Sequence, residues 1–480
     1  MTQTRLQKDI GRPLVIDLDG TLIASDLLIE SFFALLSQRP LRALIALGTL
    51  LVRGMAAFKA KIAASVSLNY EILPVHTELA AFVKSERETG RRVYVASASD
   101  RLLVEAAAQA LGPFDGIFAS DGQTNLSGPR KAHKLVEHFG EGSFDYAGNA
   151  HVDMDVWQAA HGVIVVGAGA SFRRKTSKRF PHARHFDPPQ SGVRMIVRAI
   201  RVHQWLKNLL IFAAAAAAHR LSLAGLPQLA CAFFSFSFCA SSAYLTNDLL
   251  DLESDRSHAR KRHRPLASGR MKLITGIALA PLLLVAGIAL TFPLPPLFLL
   301  VLAGYYVLTL SYSLVLKRKL IVDVVTLACL YGVRLVAGGV AVGVALSPWF
   351  TSFAVFFFLC LAIVKRCTEI VDRRARGSGD LPGRAYVERD LPILEAMAAA
   401  TGYVAIMIFI LYINSPAVLA LYHRPQYLWA ICLVLFYWIS RILLLTHRGE
   451  MHEDPVVYAV TDRKSLVCGA AVLAIMLAAL

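Results

Sequence analysis

Up to about residue 190 the apolar positions come in short clusters divided by polar turns, and beyond residue 200 they run in blocks of about twenty. Leu14-Val15-Ile16 and Val93-Tyr94-Val95-Ala96 read as short buried strands, while 26–75 and 131–139 read as helical, so the first part is expected to be α/β. A bilayer core takes roughly 20 apolar residues per helix. Nine segments meet that need, near 208–226, 227–247, 273–292, 295–314, 320–343, 347–364, 392–414, 427–446 and 464–480. In the first of them His219 and Arg220 interrupt an alanine run. The pattern predicts a multidomain chain: an α/β domain over 1–168, a basic Pro- and Gly-bearing linker over 169–193, and an all-α polytopic membrane domain of about nine transmembrane helices over 194–480.

Charge sharpens this division. Of 480 residues 56% are apolar and 18% charged, with a formal net charge of +16. Residues 1–193 carry 22 Lys/Arg against 19 Asp/Glu, and residues 194–480 carry 28 against 15. A single soluble globule, a disordered chain and a secreted disulfide scaffold are all excluded. The seven cysteines all lie in the apolar half with no CxxC, as small buried residues of membrane helices do. The first twenty residues hold no apolar core of a signal peptide. Loops 249–272, 317–319, 365–391 and 446–464 hold 20 Lys/Arg, whereas the intervening connections hold Arg220 and Arg424. The positive-inside rule then predicts a multi-pass protein of the inner (plasma) membrane with the basic loops and the N-terminal domain in the cytoplasm. Arg194–Asn208 reads as an amphipathic helix at the interface. Topology accounts for the positive charge and no aromatic-basic module is present, so no nucleic-acid partner is expected.

In the first domain Asp17-Leu18-Asp19-Gly20-Thr21 follows a short strand directly. Two acids one residue apart at a strand end converge on a small volume, which suits a hard cation such as Mg²⁺ with one carboxylate free for attack. With Ser97 after the second strand, Lys131 opening a helix, and Gly148-Asn149 followed by Asp153, the stretch 10–190 resembles the haloacid dehalogenase (HAD) superfamily of phosphohydrolases. The resemblance implies a Rossmann-like domain. Asp17 would be the nucleophile forming an aspartyl-phosphate, Asp19 the general acid/base, and Ser97 and Lys131 the phosphate binders. Mg²⁺ would be held by Asp17, Asp19, Asn149 and Asp153. Asn149 stands where the family carries Asp, which removes one negative charge and weakens metal binding. Residues 26–75 would be the helical cap that selects substrate, its apolar stretch Leu41–Val52 resting on the membrane.

In the second part, Asn247-Asp248-Leu249-Leu250-Asp251-Leu252-Glu253-Ser254-Asp255 closes the second apolar segment. Positions i, i+3 and i+7 fall within about 60° on a helix, so Asp248, Asp251 and Asp255 are expected to form one carboxylate stripe. Three like charges need a cation, and Mg²⁺ carried in with a diphosphate supplies one. Lys261, Arg262 and Arg264 follow at once as phosphate-binding candidates. The stripe followed by Arg264-Pro265-Leu266-Ala267-Ser268-Gly269 resembles the UbiA superfamily of intramembrane prenyltransferases over about 195–480. That implies a nine-helix fold whose Asp residues hold the Mg²⁺ of the donor diphosphate.

One departure selects a branch. Aromatic prenyltransferases carry a second DxxxD, but here Asp323 is followed four residues on by Leu327. Tyr331 and Arg334 come next, and Gln204, Lys207 and Asn208 precede on the interfacial helix. This resembles the decaprenyl-phosphate phosphoribosyltransferase branch, in which a lipid phosphate is the nucleophile and phosphoribosyl diphosphate (PRPP) the donor. Such a reaction handles more anionic groups, so fewer acids and more bases are expected. Asn247, Lys207, Lys317, Asp323 and Arg334 join the substrate-binding candidates. The expected partners are a polyprenyl lipid with PRPP or a prenyl diphosphate, and the bilayer; a homo-oligomer is compatible with the sequence. The phosphohydrolase domain would dephosphorylate the product. The second reading is prenyl transfer from a polyprenyl diphosphate to an aromatic or other acceptor, beside a non-catalytic HAD module.

Overall fold

Leu14–Asp17 (β1) is buried at every position, as a strand covered on both faces must be. It lies at the centre of a six-stranded parallel sheet with β2 (Val93–Asp100), β3 (Gly116–Ser120), β4 (Asp145–Gly148), β5 (Gly162–Val166) and β6 (Arg184–Phe186), in the order β3-β2-β1-β4-β5-β6. Asp17 pairs with Ala96, and Ile16 with Ala147. The chain therefore leaves three neighbouring strands at one edge of the sheet, at the point where strand order reverses, where open α/β sheets form their ligand crevice. The computed structural model describes residues 11–187, 192–217, 223–258, 260–375, 384–451 and 454–480; His219 and Arg220 lie outside the described residues.

Helices α1 (Leu27–Gln38) and α2 (Pro40–Ala63) form the expected cap. Asp26 caps α1 by accepting the Ile29 N–H at 3.0 Å. The inner side of α2 buries Ala43, Ala46, Phe58 and Ile62, while Leu41, Leu51 and Val52 are exposed. Helices α3 (Thr77–Glu88), α4 (Arg101–Leu111), α5 (Pro129–Phe139) and α6 (Met154–Ala159) cover the sheet. The stretch expected as a linker is instead structured: Ala170–Arg179 is a helix, α7, and Arg184–Phe186 is the sixth strand, so the α/β domain runs to about residue 187 rather than 168. A short edge strand with a polar sequence offers little apolar signal to read.

Packing divides the chain into two units, Met1–Ile200 with Leu245–Leu279, and Arg201–Tyr244 with Ala280–Leu480. Residues 245–279 thus pack in the same unit as the α/β domain, although they follow directly on α10's apolar stretch. The remaining helices are α8 (Val193–Ala199), α9 (Leu210–Ala217), α10 (Leu226–Leu250), α11 (Leu252–Ser257), α12 (Leu273–Ala289), α13 (Pro296–Leu314), α14 (Val322–Ala341), α15 (Pro348–Arg374), α16 (Leu391–Ile413), α17 (Pro416–Leu419), α18 (Trp429–His447), α19 (Pro455–Thr461) and α20 (Arg463–Ala479). By length and composition six segments are able to cross a membrane among the described residues: Pro40–Ala63 and those containing α10, α13, α14, α16 and α18. The expected count of nine is not reached by that measure: α9 has 8 described residues, α12 and α20 have 17 each, and α15 is not among the six. The expected interfacial helix is broken into α8 and a tighter 3₁₀ stretch, Val202–Leu209, with Arg201 between them at φ 54°.

Gly20 turns the chain out of the sheet at φ 73°, and a Cβ there would lie 2.0 Å from Asn149 Nδ2. Gly20→Ala is expected to cost about 1–2 kcal/mol from the left-handed backbone alone, before the Asn149 amide is displaced. A melting temperature for the detergent-solubilised full chain equal to wild type would contradict this.

Candidate functional site

At the sheet edge Asp17, 6% exposed, accepts Lys131 Nζ at 2.7 Å and Thr21 Oγ1 at 3.0 Å. Lys131, at the start of α5, also reaches the Ala96 carbonyl at 3.3 Å and the Tyr146 hydroxyl at 3.1 Å. Asp19 accepts the Leu27 N–H at 2.7 Å and the hydroxyls of Ser97 and Ser99 at 2.8 Å each. The expected Asp17, Asp19, Ser97, Lys131, Asn149 and Asp153 are therefore brought together. Ser97 is fully buried behind Asp19, while Ser99 lines the cavity. Ser99 and Lys59 were not legible from the motifs; Lys59 comes from the cap and donates to the Ala98 carbonyl at 2.6 Å and Asn125 at 2.8 Å.

Asp153 spends one oxygen on the Tyr146 hydroxyl (2.9 Å) and the other on the N–H groups of Asn149 (2.9 Å) and Ala150 (3.0 Å). Asp19 accepts three N–H and O–H donors, and Asp17 an ammonium and a hydroxyl, which leaves lone pairs on both carboxylates. Among the described residues no group of three or more His, Cys, Asp or Glu side chains is placed to hold a metal. Asp17 and Asp19, with the Asn149 amide oxygen, would hold Mg²⁺ through those lone pairs, whereas Asp153 is committed to Tyr146 and its own turn. Burial pushes the Asp17 carboxyl up to about 7 against the Lys131 ammonium, with Asp153 and Asp19 adding to the rise.

In residues 245–279, the helix breaks at Asp251, so the expected stripe spans two helices, α10 and α11. Asp248 (3% exposed) and Asp255 (1%) nonetheless meet: Arg264 Nη1 lies 3.0 Å from the first and 2.5 Å from the second. Burial raises the Asp255 carboxyl to about 6 despite Arg264. Asp251 is half-buried, and the Asn247 carbonyl accepts its N–H at 2.9 Å. Lys261 and Arg262 are exposed on a 3₁₀ turn. Arg264, expected on phosphate, here neutralises the acids. A cation between Asp248 and Asp255 is thus already accommodated, and two such hard oxygen donors fit Mg²⁺.

In the other unit Lys207, from the 3₁₀ stretch, and Lys365 of α15 both hold Asp454 at 2.8 Å, with the Tyr331 hydroxyl at 3.3 Å. Burial would raise Asp454, but the two ammonium groups outweigh it and hold the carboxyl far below the usual range. Arg334, 4% exposed, donates to Asn208 Oδ1 at 2.8 Å, the Tyr305 hydroxyl at 3.1 Å and the Leu330 carbonyl. Among the described residues no carboxylate pairs with it. Asp323 is fully buried between Arg366 (2.6 Å) and Arg384 (3.0 Å), so it acts as a structural counter-ion here. Lys317 is half-buried, and its carbonyl accepts from Arg384 at 3.3 Å. Asp454 escaped the sequence reading. Its local signal is an acid before Pro455, where it caps α19 through the Val456 N–H at 3.2 Å.

The fold and these clusters define an integral membrane protein joined to a HAD-like α/β domain. The profile of the UbiA prenyltransferase family matches residues 208–462, and that of haloacid dehalogenase-like hydrolases matches 14–156. The chain belongs to the UbiA prenyltransferase family. It is 36% identical over 461 residues to the uncharacterized protein y4nM of Sinorhizobium fredii, covering 95% of this chain and 89% of that one. It is 34% identical to the nodulation protein NoeC of Azorhizobium caulinodans, over 56% of this chain and 88% of NoeC. The decaprenyl-phosphate phosphoribosyltransferase of Mycobacterium tuberculosis is 36% identical over 38% of this chain and 62% of its own length. Among solved structures, a UbiA homolog from Archaeoglobus fulgidus bound to GPP and Mg²⁺ aligns with a TM-score of 0.45 at 16% identity, covering 58% of this chain and 99% of that one.

Because the folded Asp17 ionises late, the stability its neutral form contributes is full below the usual carboxylate range and lost as pH rises through about 7. Reactivity runs the opposite way. If the α/β domain hydrolyses p-nitrophenyl phosphate through Asp17, the rate is expected to rise through about pH 7, and Lys131→Met to move the midpoint up by removing the ammonium that favours the ionised form. A flat pH–rate profile contradicts this.

Proposed function

We propose that the membrane domain transfers phosphoribose from PRPP to a polyprenyl phosphate with release of pyrophosphate, and that the α/β domain dephosphorylates the product. Buried Arg334 carries the first half of this reading. A guanidinium with only neutral protein partners is costly in a membrane domain unless an anion completes it. The identity to phosphoribosyltransferases points the same way, as does the neutralisation of Asp323, the one acid left where prenyltransferases carry two.

In the transfer, an oxygen of the lipid phosphate attacks the anomeric carbon of PRPP. The carbon–oxygen bond to the diphosphate breaks, and pyrophosphate leaves with the electron pair. Asp248 and Asp255, with Asp251 alongside, would hold the Mg²⁺ that arrives on the donor diphosphate, and that ion neutralises the leaving group. Arg264, released from the two acids, would then bind diphosphate. Lys207 and Arg334 would take the lipid phosphate or the 5-phosphate, with Lys261, Arg262 and Lys317 as further phosphate contacts. The water-soluble donor sets the orientation, with the α/β domain on the cytoplasmic side of the inner membrane.

In the second step the Asp17 carboxylate attacks phosphorus, the ester bond breaks, and the freed alcohol takes a proton from Asp19. Lys131 holds the phosphoryl charge, and water then cleaves the aspartyl-phosphate to inorganic phosphate. Prenyl transfer from a polyprenyl diphosphate is the second reading, since the Asp248–Asp255 pair serves either diphosphate.

With Mg²⁺, radiolabelled PRPP and a polyprenyl phosphate, wild-type protein is expected to carry label into the organic phase, and Asp248→Asn or Asp255→Asn to lower the rate at least about 100-fold. Label carried from a polyprenyl diphosphate to an acceptor, with none from PRPP, would establish the second reading instead. Asp17→Asn is expected to leave transfer intact and to accumulate lipid still bearing the 5-phosphate. An unchanged ratio of phosphorylated to dephosphorylated lipid would remove the second step.

A further inference from the structure

The cavity beside Asp17 has a volume of about 740 Å³, and part of its wall comes from outside the α/β sheet. Residues 269–275, which run straight into the apolar helix α12, line it together with Val193, Met195 and Ile196 of α8. Within the unit this wall is fixed in place. Gly269 sits at φ 70° so close to the base of the cap that a Cβ there would lie 2.7 Å from Ala24 Cβ and 2.8 Å from its carbonyl. Arg256 pairs with Glu30 of α1, their side chains 5% and 4% exposed, and its Nε donates to the Ala267 carbonyl at 2.9 Å. Glu30 also accepts from Ser25. A buried ion pair with both partners further hydrogen-bonded is a permanent join, since breaking either side strands a charge.

The wall is mixed in a particular way. Leu28, Ile29, Ile196, Met271 and Ile274 give it an apolar surface, and Arg270 and Lys272 add positive charge. Ile274 is 58% exposed and Ile196 40%, so both leave apolar area uncovered by the described residues. A bare sugar phosphate gains nothing from such a surface, whereas an alkyl or prenyl chain gains with every CH₂ it buries there. The segments that carry it border apolar helices able to meet a bilayer.

We propose that this cavity takes a lipid-borne phosphomonoester, with the phosphate at Asp17 and Lys131 and the first apolar units of the lipid along Ile196, Met271 and Ile274. The residues after the RPLASG turn are then a specificity wall of the phosphohydrolase as well as part of the transferase sequence. This rests on the reading of the α/β domain as a phosphohydrolase, and explains why the two activities share one chain: the product's phosphate is recognised only together with its lipid.

The test uses the full chain in detergent with three phosphomonoesters: p-nitrophenyl phosphate, ribose 5-phosphate and farnesyl-phosphoryl-ribose 5-phosphate. Wild type is expected to show a kcat/KM for the farnesyl compound at least about 10-fold above that for ribose 5-phosphate, abolished in Asp17→Asn. In Ile274→Asp and Ile196→Asp the ratio of kcat/KM for the farnesyl compound to that for p-nitrophenyl phosphate is expected to fall about 10-fold, mostly through KM. Asp17-dependent hydrolysis of p-nitrophenyl phosphate without preference for the farnesyl compound, or a ratio unmoved in both variants, overturns the lipid-wall proposal and leaves the phosphohydrolase reading standing. No hydrolysis of any of the three by folded wild type overturns both.

Discussion

Charge removed from water has to be paired, and most of what is distinctive here follows from that constraint. Asp248 and Asp255 share one guanidinium, Arg264. Asp454 collects two ammonium groups. Asp17 is held by Lys131, and Asp323 by Arg366 and Arg384. In each of these clusters a buried acid is neutralised by a base of the same chain. In the proposed reactions, a substrate phosphate or a metal would take the place of one partner at Asp17–Lys131 and at the Asp248–Asp255 pair, and free the other.

Arg334 stands outside that pattern. Its neighbours Asn208, Tyr305 and the Leu330 carbonyl offer lone pairs but no charge. A guanidinium left in this state is positioned and rigid, which is what recognition of an anion requires. Arg366 and Arg264, by contrast, each face carboxylates.

The α/β domain is drawn into the same economy of charge. The Glu30–Arg256 pair ties the base of the cap to the segment that follows the Asp248–Asp255 pair, and Gly269 lets that segment lie against Ala24. A residue of the RPLASG turn thus has its conformational reason in packing against the cap, not in contact with a substrate. Part of the wall of the cavity beside Asp17 and the Asp248–Asp255 pair thus come from one stretch of chain.

The strand ending in Asp17-Leu18-Asp19-Gly20, the apolar blocks and the Asp248–Asp255 spacing were all legible, because strand alternation, helix length and helical periodicity are local properties of the chain. The helix break at Asp251 hardly matters to that spacing, so the acids meet where the period places them. The sequence also determined the family, through residues 14–156 and 208–462. Only the tertiary structure decided which charges face one another. Asp454 lies 247 residues from Lys207 in sequence, and Glu30 lies 226 from Arg256. It likewise turned Asp153 onto Tyr146 and its own turn, formed a helix and a sixth strand within the supposed linker, and packed residues 245–279 in one unit with the α/β domain. Pairings of that kind have no period and no local propensity, and arise only when burial forces distant charges to find one another.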